Sequence, residues 1–209
     1  MKGDGSMKSK QKTMGTVVLM LVIVFAVAIG FWRIMENKRE QAQEQEFIES
    51  SNEEVNAVLK KDFDENYPST PREVLKNYSR IISCVYNYDD LSEKELTALT
   101  EQMRKLFDEE LLASNPLDTQ LEDLKSDIDE YQKANRTISN YVIDKDSTIV
   151  EKKVKDRDCV NVNVSYLLHE GSGYTKTYEQ FLLRKDEKNH WKILGWKLSG
   201  EDNSSKEEE

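Results

Sequence analysis

The sequence predicts an α+β protein: a transmembrane helix and a helical stalk, followed by three helices packed on a curved antiparallel sheet. Three observations support this class. Residues 15–32 are apolar and uncharged, apolar residues recur at helical spacing between positions 71 and 131, and apolar and polar residues alternate after position 135. Because the helices precede the strands instead of alternating with them, we expect the helices to cover one face of a single sheet.

Composition and charge exclude several classes of function. The 209 residues include 30 Lys and Arg against 40 Asp and Glu, which gives a net charge of −10. Residues 1–33 carry +4, so the rest of the chain carries −14. A body this acidic lacks the clustered bases that nucleic-acid binding needs, so we expect no nucleic-acid partner. No glycine lies between Phe31 and Glu170, which excludes the glycine-rich nucleotide-binding loops from that segment.

Residues 15–32 form the predicted transmembrane helix. Eighteen residues without a charge span about 27 Å as a helix, which matches the hydrocarbon core of a bilayer. Trp32 ends the run, where an indole ring favours the membrane interface. Residues 1–14 carry a net charge of +3. The positive-inside rule therefore predicts that they form a cytoplasmic basic tail and that residues 33–209 lie outside the cytoplasm.

A cleaved signal peptide is the alternative interpretation of the apolar run. Ala26 and Ala28 offer the small residues of a cleavage site. Ile29, Phe31 and Trp32 continue the apolar run past that site, which favours a retained signal anchor. The sequence therefore predicts a single-pass protein of the cell membrane.

Two acidic segments flank the predicted domain. Residues 33–66 contain no Gly or Pro and favour a helix by propensity, so they are predicted to be an acidic helical stalk. Their apolar positions recur irregularly, which favours a solvated spacer; a coiled-coil stalk that forms a homodimer is the alternative. Residues 200–209 are predicted to be a disordered acidic tail.

Residues 67–199 are predicted to be the folded domain, and the starts of its three helices are visible in the sequence. Residues 70–73 and 92–95 each place Ser or Thr three positions before Glu, which is the pattern of a capping box. A third helix starts at residues 115–116, where Asn precedes Pro. The apolar stripes that follow are Val74, Leu75, Tyr78, Ile81, Ile82 and Val85; Leu96, Leu99, Met103, Leu106, Phe107 and Leu111; and Leu117, Leu121, Leu124, Ile128 and Tyr131.

The strands are predicted from the change of hydrophobic period after Asn135. Residues 160–168 alternate apolar and polar side chains, as a half-buried strand does. A turn at residues 170–173 leads to a second strand over 174–184, and a polar loop leads to the last strand over 190–198. Residues 138–154 hold one long strand or two short ones. The result is an antiparallel meander.

Eight aromatic residues are candidates for lining a pocket, although core packing and cross-strand pairing are favoured. They are Tyr78, Tyr86, Tyr88, Tyr166, Tyr174, Tyr178, Trp191 and Trp196. The two tryptophans are an odd number of residues apart, so a regular strand would place them on opposite faces of the sheet. One of them is therefore predicted to lie in the core.

Three helices followed by a long-stranded meander resemble the nuclear-transport-factor-2-like fold, which is cone-like. The residues that carry this resemblance are 70–85, 92–112 and the strand residues 188–194, Lys-Asn-His-Trp-Lys-Ile-Leu. The anchor, the stalk, and the segments 67–74 and 110–116 together resemble an uncharacterised family, a domain of unknown function, of single-pass membrane proteins in Gram-positive bacteria. That second resemblance implies a location and an architecture but no activity.

The sequence predicts no catalytic residue, no cofactor-binding residue, no cofactor and no metal ligand. Enzymes with the cone-like fold place an acid–base pair between helices and sheet. His169 and His190 are the two histidines, and both are predicted at solvated strand ends. Cys84 and Cys159 could form a disulfide outside the cytoplasm, but two separate thiols are favoured.

The sequence therefore favours a non-enzymatic, membrane-anchored domain outside the cytoplasm that binds a protein partner or a component of the cell envelope. One alternative is a scaffold subunit of an envelope-spanning secretion or conjugation channel, because such subunits also join a single anchor to a cone-like domain. The other alternative is a pocket protein that binds or hydrolyses a small molecule, which would require two titratable groups in a deep pocket.

Overall fold

A computed structural model of the protein describes residues 52–154 and 156–199. The predicted cytoplasmic tail, transmembrane helix and C-terminal tail, at residues 1–14, 15–32 and 200–209, lie outside the described residues. Within the part of the chain that the structure describes, no helix is both long enough and apolar enough to cross a bilayer.

The described residues form five helices and then five strands. The helices are α1 (Glu53–Leu59), α2 (Pro71–Asn87), α3 (Glu93–Arg104), α4 (Glu109–Ser114) and α5 (Leu117–Lys133). The strands are β1 (Arg136–Ile143), β2 (Glu151–Val154), β3 (Arg157–Glu170), β4 (Gly173–Lys185) and β5 (Trp191–Leu198). One turn of 3-10 helix, Asp146–Thr148, lies between β1 and β2.

All five strands belong to one antiparallel sheet. Its order is β1-β3-β4-β5, and β2 pairs with the N-terminal half of β3 while β1 pairs with the C-terminal half. β3 and β4, of 14 and 13 residues, form a long hairpin. Its turn contains Gly171, whose φ of 58° is a conformation that glycine adopts without strain. Residues 138–154, for which the sequence left one long strand or two short ones open, therefore contribute to two strands, β1 and β2.

The hydrophobic core lies between the helices and one face of this sheet. Along β3, alternate residues from Val160 to Leu168 are buried. Tyr78 of α2 packs edge-on against Phe181 of β4, with the ring centroids 5.3 Å apart. The hydroxyls of Ser79 and Tyr166 form a buried hydrogen bond of 3.0 Å between α2 and β3. The α+β class with an antiparallel sheet is confirmed.

The predicted starts of the first two domain helices are confirmed. The Thr70 hydroxyl accepts a hydrogen bond from the backbone N–H of Glu73 at the start of α2. At the start of α3, Ser92 and Glu95 form a complete capping box, in which each side chain accepts from the backbone N–H of the other. Both helices therefore begin where local chemistry alone would place them.

The predicted second helix, over residues 92–112, is two helices. α3 ends at Arg104, and Asp108 caps the new helix α4. Between them the chain pairs with β5: the N–H of Ile193 donates to the carbonyl of Leu106 at 2.9 Å, and the N–H of Asp108 donates to the carbonyl of Ile193 at 2.8 Å. Hydrogen bonding to a strand needs an extended backbone, so this long-range pairing overrides the local helical pattern.

The core extends into residues that the sequence assigns to the stalk. Val55 and Val58 of α1 are 0% and 2% exposed, and Phe63 is 5% exposed; all three belong to the main core. The folded unit therefore starts before the predicted boundary at residue 67. Residues 33–51 of the predicted stalk lie outside the described residues.

Trp191 and Trp196 share a face of the sheet, so the prediction of opposite faces is wrong. The pairing of β4 with β5 shifts by one residue at Leu194, which forms a β-bulge. An extra residue reverses the alternation of side chains beyond it. Trp191 is buried, and Trp196 stacks on Phe181 with the ring centroids 5.7 Å apart. Both indoles therefore contribute to the helix-facing side.

Candidate functional site

A cavity of about 470 Å³ lies where the segment before α2, the α3–α4 connection and the β4–β5 turn meet. We call it the His190 cavity. Its lining residues are Phe63, Asp64, Tyr67, Arg104, Lys105, Phe107, Asp108, Glu109, Leu112, Arg157, Asp186, Glu187, Lys188, His190 and Lys192. The lining therefore combines aromatic rings with charged groups of both signs.

Tyr67 and His190 stack in this cavity. Their ring centroids are 4.3 Å apart, and the planes differ by 17°. The Tyr67 hydroxyl donates to the carbonyl oxygen of Trp191 at 2.9 Å. The ammonium of Lys192 lies 4.1 Å from the centre of the Tyr67 ring and donates to the carbonyl of Lys105 at 2.7 Å. Burial raises the pKa of Tyr67 and lowers that of Lys192, so the phenol is neutral at physiological pH.

Asp186 stands beside His190 and builds the β4–β5 turn. One carboxylate oxygen accepts the backbone N–H groups of Lys188 and His190, at 2.9 and 2.8 Å. The other oxygen lies 3.6 Å from Nδ1 of His190. A carboxylate beside an imidazole is a feature of acid–base sites. Here the carboxylate accepts its hydrogen bonds from the backbone of the turn, so the main role of Asp186 is structural.

A buried ion pair supports the wall of the cavity. Nε of Arg184 donates to Oδ2 of Asp108 at 3.0 Å, and Nη2 donates to Oδ1 of the same carboxylate. Nη1 of Arg184 donates to Glu110 at 2.8 Å. The side chain of Asp108 is 1% exposed and that of Arg184 is 9% exposed. Each buried charge therefore has a hydrogen-bonded partner of the opposite sign.

The charges that line the His190 cavity are balanced, and four of them form two ion pairs within the lining. Five Lys and Arg side chains and five Asp and Glu side chains line it. Lys105 pairs with Asp64 at 2.9 Å, and Arg157 approaches Glu109 at 3.5 Å. Such a surface presents both signs of charge beside aromatic rings. It can receive a polypeptide of mixed charge, and several of its acids and bases already have structural partners.

Both histidines lie at strand ends, as the sequence predicts, but both are half-buried and not fully solvated. His169 is half-buried near the end of β3 and contacts Tyr174, with the ring centroids 4.9 Å apart. His190 is half-buried between Tyr67 and Asp186. The position of Asp186 four residues before His190, across a tight turn, was readable from the sequence. Tyr67 was not, because it precedes His190 by more than a hundred positions and joins it only through the fold.

Both cysteines are free and buried. Cys84 lies on α2, and Cys159 lies on β3. Burial raises the pKa of the Cys84 thiol to about 11, which leaves it protonated and weakly nucleophilic. The structure therefore agrees with two separate thiols.

The aromatic candidates divide between core and surface. Tyr78, Tyr166 and Trp191 are buried, whereas Tyr174 is 65% exposed. Tyr86 stacks on the partly buried ring of Tyr131, with the ring centroids 4.4 Å apart. These residues are mainly packing elements of the helix–sheet interface.

Sequence reasoning missed Glu179, a carboxyl group on the core side of β4. Burial raises its pKa to about 7. Its strand partners are Val164 and Leu198, and no described residue forms a hydrogen bond or ion pair with its side chain. The sequence signal for this placement is the alternation of side chains along β4. Glu179 is two residues before the buried Phe181 and therefore faces the same side of the sheet.

A second cavity, of about 620 Å³, lies between α1, α2 and β1. We call it the Arg80 cavity. It is lined by Glu54, Lys76, Arg80, Ser83, Cys84, Asn87, Tyr88, Ile138, Ser139, Asn140 and Tyr141. Its lining is mainly hydroxyl and amide groups with two bases and one acid. No group of His, Cys, Asp and Glu in the described segments is arranged to hold a metal ion.

Comparison with known proteins places the chain in a family. Residues 7–196 match the model of a domain of unknown function, DUF6715. No curated protein matches the chain. Since the match covers most of the chain, the protein belongs to the DUF6715 family, which agrees with the expected resemblance to an uncharacterised family.

Proposed function

We propose that this member of the DUF6715 family is a non-enzymatic domain, anchored in the cell membrane by residues 15–32, that binds a protein partner outside the cytoplasm. The structural engagement of Asp108, Asp186 and Lys192 in the His190 cavity carries this proposal. A general acid or base needs a free, tuned proton site. In this cavity Asp186 holds a turn, Asp108 neutralises Arg184, and Lys192 is bonded to a carbonyl.

A cone-like fold is part of the same proposal. Its support is the long β3–β4 hairpin, the bulges in the β1–β3 and β4–β5 pairings, and the helices that cover one face of the sheet. Bulges bend strands and so curve a sheet around its helices. The apolar, uncharged run at residues 15–32 and the basic residues before it support the anchor and its orientation.

Site-specific photocrosslinking in growing cells tests partner binding. A photoreactive amino acid would replace Lys188, an exposed residue that lines the His190 cavity. The control position is Lys125, an exposed residue of α5 that lines neither cavity. The proposal expects a discrete adduct from position 188 and none from position 125. Equal labelling at both positions, or none at position 188, would contradict it.

Glu179 favours a second candidate function, a protein that binds or hydrolyses a small molecule between helices and sheet. A desolvated carboxyl without a cation partner is a common feature of acid–base sites. The Tyr86 hydroxyl donates to Asp127 at 3.4 Å, and burial raises the pKa of Asp127 as well. If Glu179→Gln folds normally but abolishes the cellular function of the protein, this candidate replaces the first.

A further inference from the structure

We propose that the Arg80 cavity binds a phosphate ester of a sugar or another polyol. The cavity is distinct from the His190 cavity in every lining residue. The proposal therefore stands independently of the function proposed above. It rests on the charge of the lining, on the geometry of its bases and on the hydroxyl and amide groups that face them.

The Arg80 cavity has a local excess of positive charge on an acidic protein. The chain has a net charge of −10, yet the cavity is lined by two bases and one acid. Arg72, Lys76 and Arg80 follow one another at four-residue spacing along α2, which places them on one helix face. Because this face opposes the charge of the rest of the molecule, an anionic group is favoured here over a cation.

The guanidinium of Arg80 is held in a fixed orientation by Glu54. Its Nε and Nη2 atoms both donate to Oε1 of Glu54, at 3.0 and 2.7 Å. This ion pair fixes the plane of the guanidinium, and no described residue bonds to Nη1. An oriented guanidinium with free donors recognises the oxygens of a phosphate group. Lys76 is exposed at the cavity and supplies a second cation without an ion-pair partner among the described residues.

The neutral part of the lining consists mainly of amide and hydroxyl groups. Asn87 is fixed by two hydrogen bonds with the backbone of Ile138, at 2.9 and 2.7 Å. Asn140 accepts the backbone N–H of Tyr141 through its oxygen, so its amide N–H groups remain donors. Ser139 adds an exposed hydroxyl. Hydroxyl, amide and tyrosine groups beside two cations match a ligand that is part phosphate and part polyol.

The fit in size agrees with this class. Small-molecule sites generally measure about 300–1,000 Å³, and the Arg80 cavity measures about 620 Å³. A bare phosphate ion would leave most of this space to water. The polyol part of the ligand would fill it and contact the hydroxyl and amide groups of β1.

Isothermal titration calorimetry on the full chain in detergent micelles tests the proposal. The probes are glucose 6-phosphate and glycerol 3-phosphate, with glucose, glycerol and inorganic phosphate as controls. We expect at least one ester to bind at least about tenfold more tightly than inorganic phosphate and its parent polyol. Lys76→Gln should weaken that binding by about tenfold or more, because it removes a charge-assisted hydrogen bond. Tyr141→Phe, which keeps the ring, should weaken it less.

The matched control is Lys125→Gln, which removes the same charge from an exposed site on α5. It should leave ester binding unchanged. The proposal is overturned if neither ester binds at about 10 mM, a concentration that would still reveal affinities weaker than 1 mM. It is also overturned if inorganic phosphate binds as tightly as the esters, or if Lys76→Gln and Lys125→Gln have equal effects.

Discussion

Asp108 has two structural roles at one buried position. It caps α4 through the backbone N–H of Glu110, and it neutralises Arg184. We expect Asp108→Ala to lower the free energy of unfolding by about 3–5 kcal/mol, because it leaves the charge of Arg184 buried without its main partner. Urea denaturation of a fragment spanning residues 52–199 would measure this loss.

Glu110 provides the comparison for Asp108, since it bonds to the same arginine but is 65% exposed. Glu110→Gln should lower the free energy of unfolding by less than about 1 kcal/mol, as for exposed ion pairs. Equal losses for the two variants would show that burial does not determine the strength of this network.

Glu179 should make the stability of the domain depend on pH. Its folded-state pKa is raised to about 7 by burial, so between about pH 4.5 and 7 the folded state binds more protons than the unfolded state. Stability should therefore fall as pH rises through this window. Glu179→Gln removes the cost of the buried charge and should raise the free energy of unfolding at pH 8 by roughly 2–3 kcal/mol. At pH 4.5 the two proteins should differ little, and denaturation at both pH values gives the comparison.

The two histidines should have small and unequal effects on stability. His169→Gln should change the free energy of unfolding by less than about 0.5 kcal/mol, as peripheral substitutions generally do. His190→Gln loses the stack on Tyr67 and should cost about 0.5–1.5 kcal/mol. Melting temperatures of the two variants would separate these values. A loss below about 0.5 kcal/mol in His190→Gln would contradict this role for the stack.

At the scale of elements, α1 defines where the folded unit begins. Val55, Val58 and Phe63 are almost fully buried in the core, and burying such side chains contributes about 1.5–3 kcal/mol each. A fragment spanning 52–199 should therefore unfold cooperatively on heating. A fragment spanning 67–199 should show helical circular dichroism without a cooperative thermal transition. A cooperative transition of equal midpoint in both fragments would show that α1 is dispensable.

The elements also show how far sequence reasoning reaches. Helix starts were predictable at Thr70 and Ser92, because a cap is formed by residues three positions apart. The end of α3 at Arg104 was not, since it depends on pairing with Ile193, far along the chain. The shared face of the two tryptophans was missed for the same reason: one bulged residue, Leu194, inverts a local alternation.

In the candidate sites, too, some features depend on local sequence and others depend on residues far apart in the chain. The four-residue spacing of Arg72, Lys76 and Arg80 on α2 is visible in the sequence. The hydroxyl and amide groups of β1 that line the same cavity are brought there by the fold of the sheet. Asp186 and His190 lie in one turn, whereas Tyr67 joins them from the segment before α2. The sequence therefore indicates parts of each site, and the tertiary structure determines which of these parts come together.

For the molecule as a whole, we propose a membrane anchor with the acidic domain outside the cytoplasm. Its basis is the uncharged run at residues 15–32 and the contrast between the basic residues before it and the acidic body after it. The photocrosslinking and calorimetry experiments concern what the domain binds. The location of the domain decides which partners and ligands are available to it.

Protease treatment of intact protoplasts tests this membrane topology. The protein would carry one epitope at its N-terminus and one at its C-terminus. The proposed topology predicts that added protease destroys the C-terminal epitope, while the N-terminal epitope stays protected and sediments with the membranes. Protection of the C-terminal epitope until detergent is added would contradict the orientation. Recovery of a soluble protein that begins near Ile29 would contradict the anchor.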